Sequence, residues 1–200
     1  MRADQVAICT NGYTGTLTPS LRRRVLPIRS TMIATEPLTP EIIQALLPKD
    51  RMTGDSRRVV AYYRRSPDGT RILFGGRPVG TGDNPVAGAQ QIRNLMLEVF
   101  PNLTPVRISH VWSGLVAYTF DHVPHIGQMD GLFYAMGYCG SGVARASYFG
   151  RKLGHKMLGD GEGETAFDDL PFNSRPFYTG DPWFLPAVFF WHRMADRLGL

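Results

Sequence analysis

The fold of this 200-residue chain is decided by the stretch Leu132-Phe133-Tyr134-Ala135-Met136-Gly137-Tyr138-Cys139-Gly140-Ser141-Gly142 and by the residues after it, up to Leu158. The apolar run that opens the stretch predicts a buried strand. Residues 142–158 predict a helix, because their apolar side chains recur at helical spacing. The inner stripe of that helix consists of Ala146, Phe149, Leu153 and Met157.

Three glycines, Gly137, Gly140 and Gly142, join the predicted strand to the predicted helix. Glycines let backbone N–H groups approach a ligand closely, and the first turn of a helix adds unpaired N–H groups and partial positive charge. The segment is therefore a candidate anion site. Its spacing is G-x-x-G-x-G and not the G-x-G-x-x-G of dinucleotide-binding folds, so the pattern alone fits a tight strand-to-helix turn equally well.

The clearest local structure before this stretch is a hairpin. Residues 58–65 and 70–76 are rich in β-forming side chains and flank the turn Ser66-Pro67-Asp68-Gly69. Its first strand would present Tyr62 on one face and Tyr63 on the other. The other predicted elements, in chain order, are a helical turn at 18–20, an extended segment at 24–35, a helix at 39–48, a helix at 87–100, an extended segment at 106–120 and a helix at 187–198.

The amino-terminal residues predict a strand that needs a neighbour. Val6-Ala7-Ile8-Cys9 is a short apolar run that ends in the turn Thr10-Asn11-Gly12. Such a strand needs partners on both sides, and almost nothing precedes it, so we expect a missing amino-terminal partner. Residues 1–20 contain no glycine-rich dinucleotide fingerprint.

Composition narrows the class of protein. The chain is 43% hydrophobic and 20% charged, with a formal net charge of +5. Its basic residues form short clusters beside strands and not the aromatic-interleaved stripe of nucleic-acid binders, so no nucleic-acid partner is predicted. A mild positive excess suits anionic phosphates or carboxylates. The distant Cys9 and Cys139 make no disulfide framework, and residues 1–5 have no signal-peptide character, so we expect a cytoplasmic protein.

Two other features have structural interpretations. His122 and His125 flank Val123-Pro124 and would point to opposite faces, whereas zinc needs three or four convergent ligands, so no metal site is predicted. We expect His125 to be a hydrogen-bonded structural residue, with a place near a cofactor as the alternative. The apolar tail at 183–200 is expected to dock on the body of the protein, with an interfacial membrane helix as the alternative.

The order of several motifs resembles the FAD-dependent D-amino-acid oxidase superfamily, which includes the glycine and sarcosine oxidases, and is nearest to its γ-glutamylputrescine oxidoreductase type. Each motif is weak alone, but their order and spacing over most of residues 6–158 are specific. The motifs are Thr10-Asn11-Gly12-Tyr13-Thr14, Ala34-Thr35-Glu36-Pro37-Leu38, Tyr62-Tyr63-Arg64-Arg65, Asp68-Gly69, Leu73-Phe74-Gly75-Gly76-Arg77, Trp112-Ser113-Gly114, Thr119-Phe120-Asp121-His122-Val123-Pro124-His125-Ile126-Gly127 and Gly137-Tyr138-Cys139-Gly140-Ser141-Gly142.

The resemblance implies that the glycine turn lies against the isoalloxazine ring of FAD, where a helix amino terminus stabilises the negative charge of the reduced ring. It also implies a substrate-domain sheet that roofs the ring. The implied cofactor-binding residues are Asn11, Gly12, Gly137, Gly140, Ser141, Gly142 and Val143. The candidate substrate-binding residues are Tyr62, Tyr63 and Tyr138, each of which has a core-packing role as the alternative.

This sequence departs from the family pattern at three places. The amino-terminal glycine fingerprint that seats the ADP pyrophosphate is absent. Ala144 stands where sarcosine oxidases carry a lysine, so carboxylate capture by that route is in doubt. No cysteine lies near Val116, the expected position of covalent attachment, so the resemblance implies noncovalent FAD. No side-chain base is demanded by hydride transfer to flavin, and no catalytic residue is assigned.

The implied fold is α+β. It combines a mostly antiparallel substrate-domain sheet and flanking helices with the carboxy-terminal strand, glycine turn and helix of a Rossmann-like FAD domain whose amino-terminal part is missing. The expected ranges are 1–22 for the end of the FAD-binding domain, 23–120 for the substrate domain, 121–160 for the return to the FAD domain and 161–200 for the tail.

The implied activity is oxidation of the C–N bond of a small amine or amino acid. The resemblance also implies a missing amino-terminal half that binds FAD. Two alternatives stay open. In the first, the chain is a truncated, non-catalytic relative that keeps the fold. In the second, it is a basic binding module without a cofactor.

Overall fold

Residues 132–158 form the predicted strand, glycine turn and helix in a computed structural model, which describes residues 2–82 and 84–199. The strands, in chain order, are β1 (Ala7–Ile8), β2 (Leu26–Thr35), β3 (Thr53–Gly54), β4 (Tyr62–Arg65), β5 (Ile72–Gly76), β6 (Ile108–Tyr118), β7 (His125–Met129) and β8 (Leu132–Met136). The helices are α1 (Pro19–Arg22), α2 (Pro40–Leu46), α3 (Pro85–Val99), α4 (Gly142–Met157) and α5 (Leu185–Leu198).

The chain folds as two units, each made of two separate stretches. Unit 1 comprises Met1–Ile28 and Leu115–Pro182, and unit 2 comprises Arg29–Gly114 and Trp183–Leu200. The divisions therefore follow residues 28, 114 and 182, whereas the sequence predicts divisions after residues 22, 120 and 160. β2 and β6 continue through the first two division points as unbroken strands, so no loop marks these points in the sequence.

Unit 1 contains a three-stranded sheet in the order β1-β8-β7. β1 runs parallel to β8, with Ala7 opposite Phe133, and β7 runs antiparallel to β8. α4 packs on this sheet through Phe149 and Leu153, which are 2% and 3% exposed. Ala146, predicted for the same inner stripe, is exposed instead, because only the later turns of α4 meet the core.

The strand β7 is absent from the sequence-based prediction. It forms a tight hairpin with β8 through Asp130 and Gly131, whose φ angles are 52° and 77°. An Asp-Gly pair with both residues in the left-handed region is the turn that β-hairpins favour. That pair is the sequence feature from which β7 could have been predicted.

Unit 2 contains the mostly antiparallel sheet that the sequence predicts, with strand order β3-β4-β5-β2-β6. The predicted hairpin is confirmed: Tyr62 lies opposite Gly75 and Tyr63 opposite Phe74. Its first strand begins at Tyr62 and not at residue 58. The reason is Asp55, whose Oδ1 accepts hydrogen bonds from the backbone N–H of Arg57 and Ala61 and holds the chain in a loop.

The core of unit 2 lies between its sheet and α3. Asn84 caps this helix by accepting hydrogen bonds from the N–H groups of Val86 and Ala87 at 3.0 and 3.1 Å. Full burial of each large apolar side chain contributes about 1.5–3 kcal/mol. The fully buried members of this core include Ile33, Ile72, Phe74, Ile92, Met96 and Leu103.

The carboxy-terminal helix α5 belongs to unit 2. Phe189 and Ala195 are buried, and the Asp196 carboxylate accepts hydrogen bonds from Arg58. In the part of the chain that the structure describes, every helix is too short or too polar to cross a membrane.

Candidate functional site

The glycine turn between β8 and α4 is built from left-handed backbone. The φ angles of Gly137, Cys139 and Gly140 are 79°, 52° and 93°. Glycine adopts this region without strain, whereas Cys139 adopts it at a cost that the surrounding structure must offset. The Cys139 N–H donates to the Ala117 carbonyl at 3.0 Å, and the Ser141 N–H donates to the Tyr138 carbonyl at 3.0 Å.

The Asn11 turn and the glycine turn are in direct contact. The Asn11 Oδ1 atom accepts a hydrogen bond from the Gly137 N–H at 3.0 Å. Asn11 has a φ of 46° and begins a 3-10 turn that ends at Tyr13, and its carbonyl accepts from the Thr14 hydroxyl at 2.7 Å. The structure therefore brings together the two segments that the resemblance names as cofactor-binding.

Two of the predicted residues must be glycine for steric reasons. A Cβ atom at Gly12 would lie 2.7 Å from the Leu115 carbonyl oxygen, which is backbone and cannot move aside cheaply. A Cβ atom at Gly137 would overlap the Cγ2 atom of Thr119. Close packing thus holds the Asn11 turn against Leu115 and the glycine turn against Thr119. Leu115 and Thr119 matter here only because the fold places them beside Gly12 and Gly137. No sequence pattern indicates the role of Leu115.

The start of α4 leaves its backbone N–H groups available. Ser141 occupies the N-cap position without forming a side-chain capping hydrogen bond, and the first turn contains no acidic residue. The early N–H groups of a helix have no partners within the helix, and they carry partial positive charge. Val143, in the same turn, is 98% exposed. The surface here combines bare amides with an exposed apolar side chain, which fits a flat, partly apolar group that carries negative charge.

The three candidate tyrosines have different surroundings. Tyr138 lies in the core of unit 1, its hydroxyl donates to the Ala135 carbonyl at 3.2 Å, and burial raises the pKa of Tyr138 to about 12. A substrate contact through this side chain would require that hydrogen bond to break. Tyr63 stacks on Phe74 at 5.3 Å between ring centroids, in the core beneath α3. Tyr62 projects from the opposite face of the sheet, with its hydroxyl 2.5 Å from the Ser30 Oγ atom.

His125 is a structural residue. It is 1% exposed, its Nε2 atom lies 3.0 Å from Oδ2 of Asp121, and its ring stacks on Phe172 at 4.1 Å between centroids. These contacts fix the turn that leads into β7. Within the described residues, no group of three His, Cys, Asp or Glu side chains is arranged to hold a metal ion.

Comparisons with known proteins agree with this geometry. Residues 1–155 match the family model of the FAD dependent oxidoreductases, DAO. The chain is 39% identical over 202 residues to the probable oxidoreductase OrdL of Rhizobium meliloti (strain 1021), covering 98% of this chain and 45% of that protein. It is 30% identical over 203 residues to gamma-glutamylputrescine oxidoreductase of Escherichia coli (strain K12), covering 99% of this chain and 47% of that protein.

The fold is shared with solved structures as well. Glycine oxidase from Geobacillus kaustophilus superposes with a TM-score of 0.63 at 22% identity, over 87% of this chain and 46% of that chain. The chain spans less than half the length of the curated relatives it matches. The match over residues 1–155, in the order of motifs that the sequence displays, shows that the chain belongs to the FAD dependent oxidoreductase family.

Proposed function

We propose that this chain forms the flavin-ring portion of an FAD-dependent oxidoreductase that oxidises the C–N bond of a small amine or amino acid. One observation carries the proposal: the Asn11 side chain holds the glycine turn at the start of a helix that has no side-chain cap. An arrangement of bare N–H groups stabilises negative charge that develops on a bound group, and needs no reorganisation to do so.

The residues of the turn have separate roles in this proposal. Gly140 and Gly142 lack side chains, so a ring can approach their backbone closely. The N–H groups at the start of α4 would hold the polar edge of the ring, and Val143 would contact its apolar part. When bound, FAD supplies the acceptor for the hydride, and the oxidised substrate is an imine that water hydrolyses. With no cysteine near Val116, the cofactor is held noncovalently.

The substrate domain is unit 2 in this proposal, and Tyr62 is the tyrosine that meets the substrate. Its ring covers Gly75, where a Cβ atom would overlap it, on the face of the sheet opposite the α3 core. Ala144 provides no charge for a substrate carboxylate at the start of α4. We therefore propose that recognition of the substrate depends on unit 2.

We propose further that a dinucleotide-binding half, equivalent to the part of the relatives that this chain does not match, seats the ADP moiety. β1 lies at an edge of its sheet, and Val6 beside it is 43% exposed. Edge strands present unpaired backbone groups that readily accept another strand. Both cysteines are free thiols, which suits the reducing cytoplasm as the compartment of the assembled protein.

Co-expression tests the proposal. This chain would be produced with the amino-terminal half of the Rhizobium meliloti relative and purified through a tag on this chain. We expect a co-purifying pair with visible flavin absorbance that is released on denaturation, and turnover of an amine or amino acid with a dye as acceptor. The same pair with Gly137→Ala, which distorts the turn, is expected to carry less flavin.

Two outcomes would redirect the assignment. A folded pair that stays colourless after addition of FAD identifies the chain as a non-catalytic relative that keeps the fold. Retention of the chain on nucleic acid that disappears as salt rises would favour a basic binding module.

A further inference from the structure

A cavity lies within unit 2. It has a volume of about 420 Å³ and lies between α3, α5 and the segment around Arg57. Small-molecule sites commonly have volumes of about 300–1,000 Å³. None of the residues that line the cavity is among the candidate flavin or substrate residues.

The cavity has a positive lining. Four arginines and two carboxylates line it, which gives the lining a net charge of +2. The carboxylates are already engaged: Glu98 pairs with Arg57 at 2.9 Å, and Asp196 pairs with Arg58 at 3.2 Å. The four arginines are Arg57, Arg77, Arg193 and Arg197.

Arg193 and Arg197 are the residues on which a ligand would depend most. They stand four positions apart on α5, where like charges repel each other and destabilise a helix. Within residues 2–82 and 84–199, neither guanidinium forms a hydrogen bond or an ion pair. A bound anion would remove the repulsion and occupy both planar donor groups, which match carboxylate and phosphate oxygens.

The wall formed by α3 adds a neutral donor. The Asn94 Oδ1 atom accepts a hydrogen bond from Gln90 at 2.9 Å, which leaves the Asn94 amide N–H groups for a ligand. Gln91 is fixed by hydrogen bonds to both the N–H and the carbonyl of Val79. Leu95 and Val59 supply apolar surface. The α3 wall of the cavity therefore offers the Asn94 N–H groups to a hydrogen-bond acceptor on a ligand.

We infer that this cavity binds a small dianion, with carboxylate or phosphate groups as the recognised chemistry. The net charge of +2 on the lining favours a dianion over a monoanion. The inference does not rest on the proposed function, because the lining shares no residue with the proposed flavin-binding or substrate-binding residues. The dianion would be a ligand of unit 2 in addition to the flavin and the substrate.

Calorimetric titration of the full chain tests this inference at constant ionic strength. The probes are inorganic phosphate, succinate and, as a monoanion, acetate. We expect saturable binding of phosphate or succinate and weaker binding of acetate. Tighter binding of phosphate identifies a phosphate-bearing ligand, and tighter binding of succinate identifies a dicarboxylate.

The double substitution Arg193→Gln with Arg197→Gln is expected to weaken the binding about tenfold or more. The matched control, Arg64→Gln with Arg151→Gln, removes the same charge from exposed positions outside the cavity and is expected to leave binding unchanged. Asn94→Ala is a milder second variant, and circular dichroism verifies that each variant is folded. Equal weakening in both double variants, equal binding of acetate, or no saturable binding would overturn the inference.

Discussion

Gly137 shows how the absence of one side chain shapes the candidate site. Its backbone has a φ of 79°, its N–H donates to Asn11, and Thr119 occupies the space where a Cβ atom would be. Conformation and packing therefore both require glycine at this position. The two costs can be separated, because Gly131 has a φ of 77° with open space around it.

Gly137→Ala is expected to lower the free energy of unfolding by about 2–4 kcal/mol, from left-handed strain plus steric overlap. Gly131→Ala has the strain alone and is expected to cost about 1–2 kcal/mol. Urea unfolding followed by circular dichroism measures both. Equal losses in the two variants would show that the contact with Thr119 contributes nothing.

The stability of the chain depends on pH through Asp121. Burial alone would raise the pKa of Asp121, but hydrogen bonds from His125, Thr119 and the Val123 N–H outweigh it and lower the pKa below its ordinary value. A carboxyl group whose pKa is lowered by folding stabilises the folded state above its unfolded pKa, and that contribution disappears as pH falls through the folded pKa.

We therefore expect Asp121→Asn to destabilise the chain at neutral pH, and the difference from the parent chain to shrink as pH falls below about 3.9, the ordinary pKa of aspartate. Chemical unfolding at several pH values measures this. A difference that stays constant down to the lowest pH would contradict the proposed hydrogen-bonding role.

At the scale of elements, the start of α4 has opposite requirements for stability and for ligand binding. An acidic residue in the first turn of a helix stabilises the helix by about 0.3–1 kcal/mol, because it interacts with the partial positive charge there. The first turn of α4 contains no acidic residue. The absence is consistent with a surface that must stay open to a negatively charged group.

Val143→Asp tests this conflict directly. We expect a small gain in the free energy of unfolding together with weaker binding of the reduced flavin in the assembled protein, since the added carboxylate repels the negative charge of the reduced ring. Val143→Ala, which removes apolar contact without adding charge, is the control and should weaken binding less. If Val143→Asp left the affinity for reduced flavin unchanged, the start of α4 would not be the ring-binding surface.

The other long helix depends on its cap. Asn84→Ala removes two hydrogen bonds at the start of α3 and is expected to destabilise unit 2 by about 1 kcal/mol. Asn84→Ser keeps a capping oxygen and should retain most of the stability. Tryptophan fluorescence is the suitable probe, because Trp112, Trp183 and Trp191 all belong to unit 2. No loss in the alanine variant would mean that the cap is dispensable.

Elements with local causes were predicted well from the sequence. The hairpin around Ser66-Pro67-Asp68-Gly69 follows from turn chemistry, and α3 and α4 follow from apolar spacing. Alternation along β4 also places Tyr62 and Tyr63 on opposite faces, but only packing shows that Tyr63 stacks on Phe74. The contact between Asn11 and Gly137 joins residues 126 positions apart, and no periodicity connects them.

At the scale of the whole molecule, the two units differ in how far apart their paired residues lie in sequence. Both sheets contain a local hairpin, β4 with β5 in unit 2 and β7 with β8 in unit 1, but the sheet of unit 1 also pairs Ala7 with Phe133. Contacts between residues distant in sequence form more slowly, because the intervening chain must lose entropy before they close.

We expect unit 2 to refold before unit 1. In a Cys9→Ser variant, Cys139 is the remaining thiol, and its Sγ atom lies 3.1 Å from the Gly137 carbonyl oxygen within the glycine turn. After dilution from urea, tryptophan fluorescence should recover earlier than protection of Cys139 from a thiol reagent. Simultaneous recovery, or earlier protection, would contradict this order.

The pairing of β1 with β8 has a consequence for biosynthesis. β1 is translated well before β8, because the residue opposite Ala7 is Phe133. At a translation speed of about 5–20 residues per second, the nascent strand waits several seconds before a partner emerges. During that interval its apolar side chains have no strand to pair with, so in a cell β1 is a natural client for a ribosome-associated chaperone.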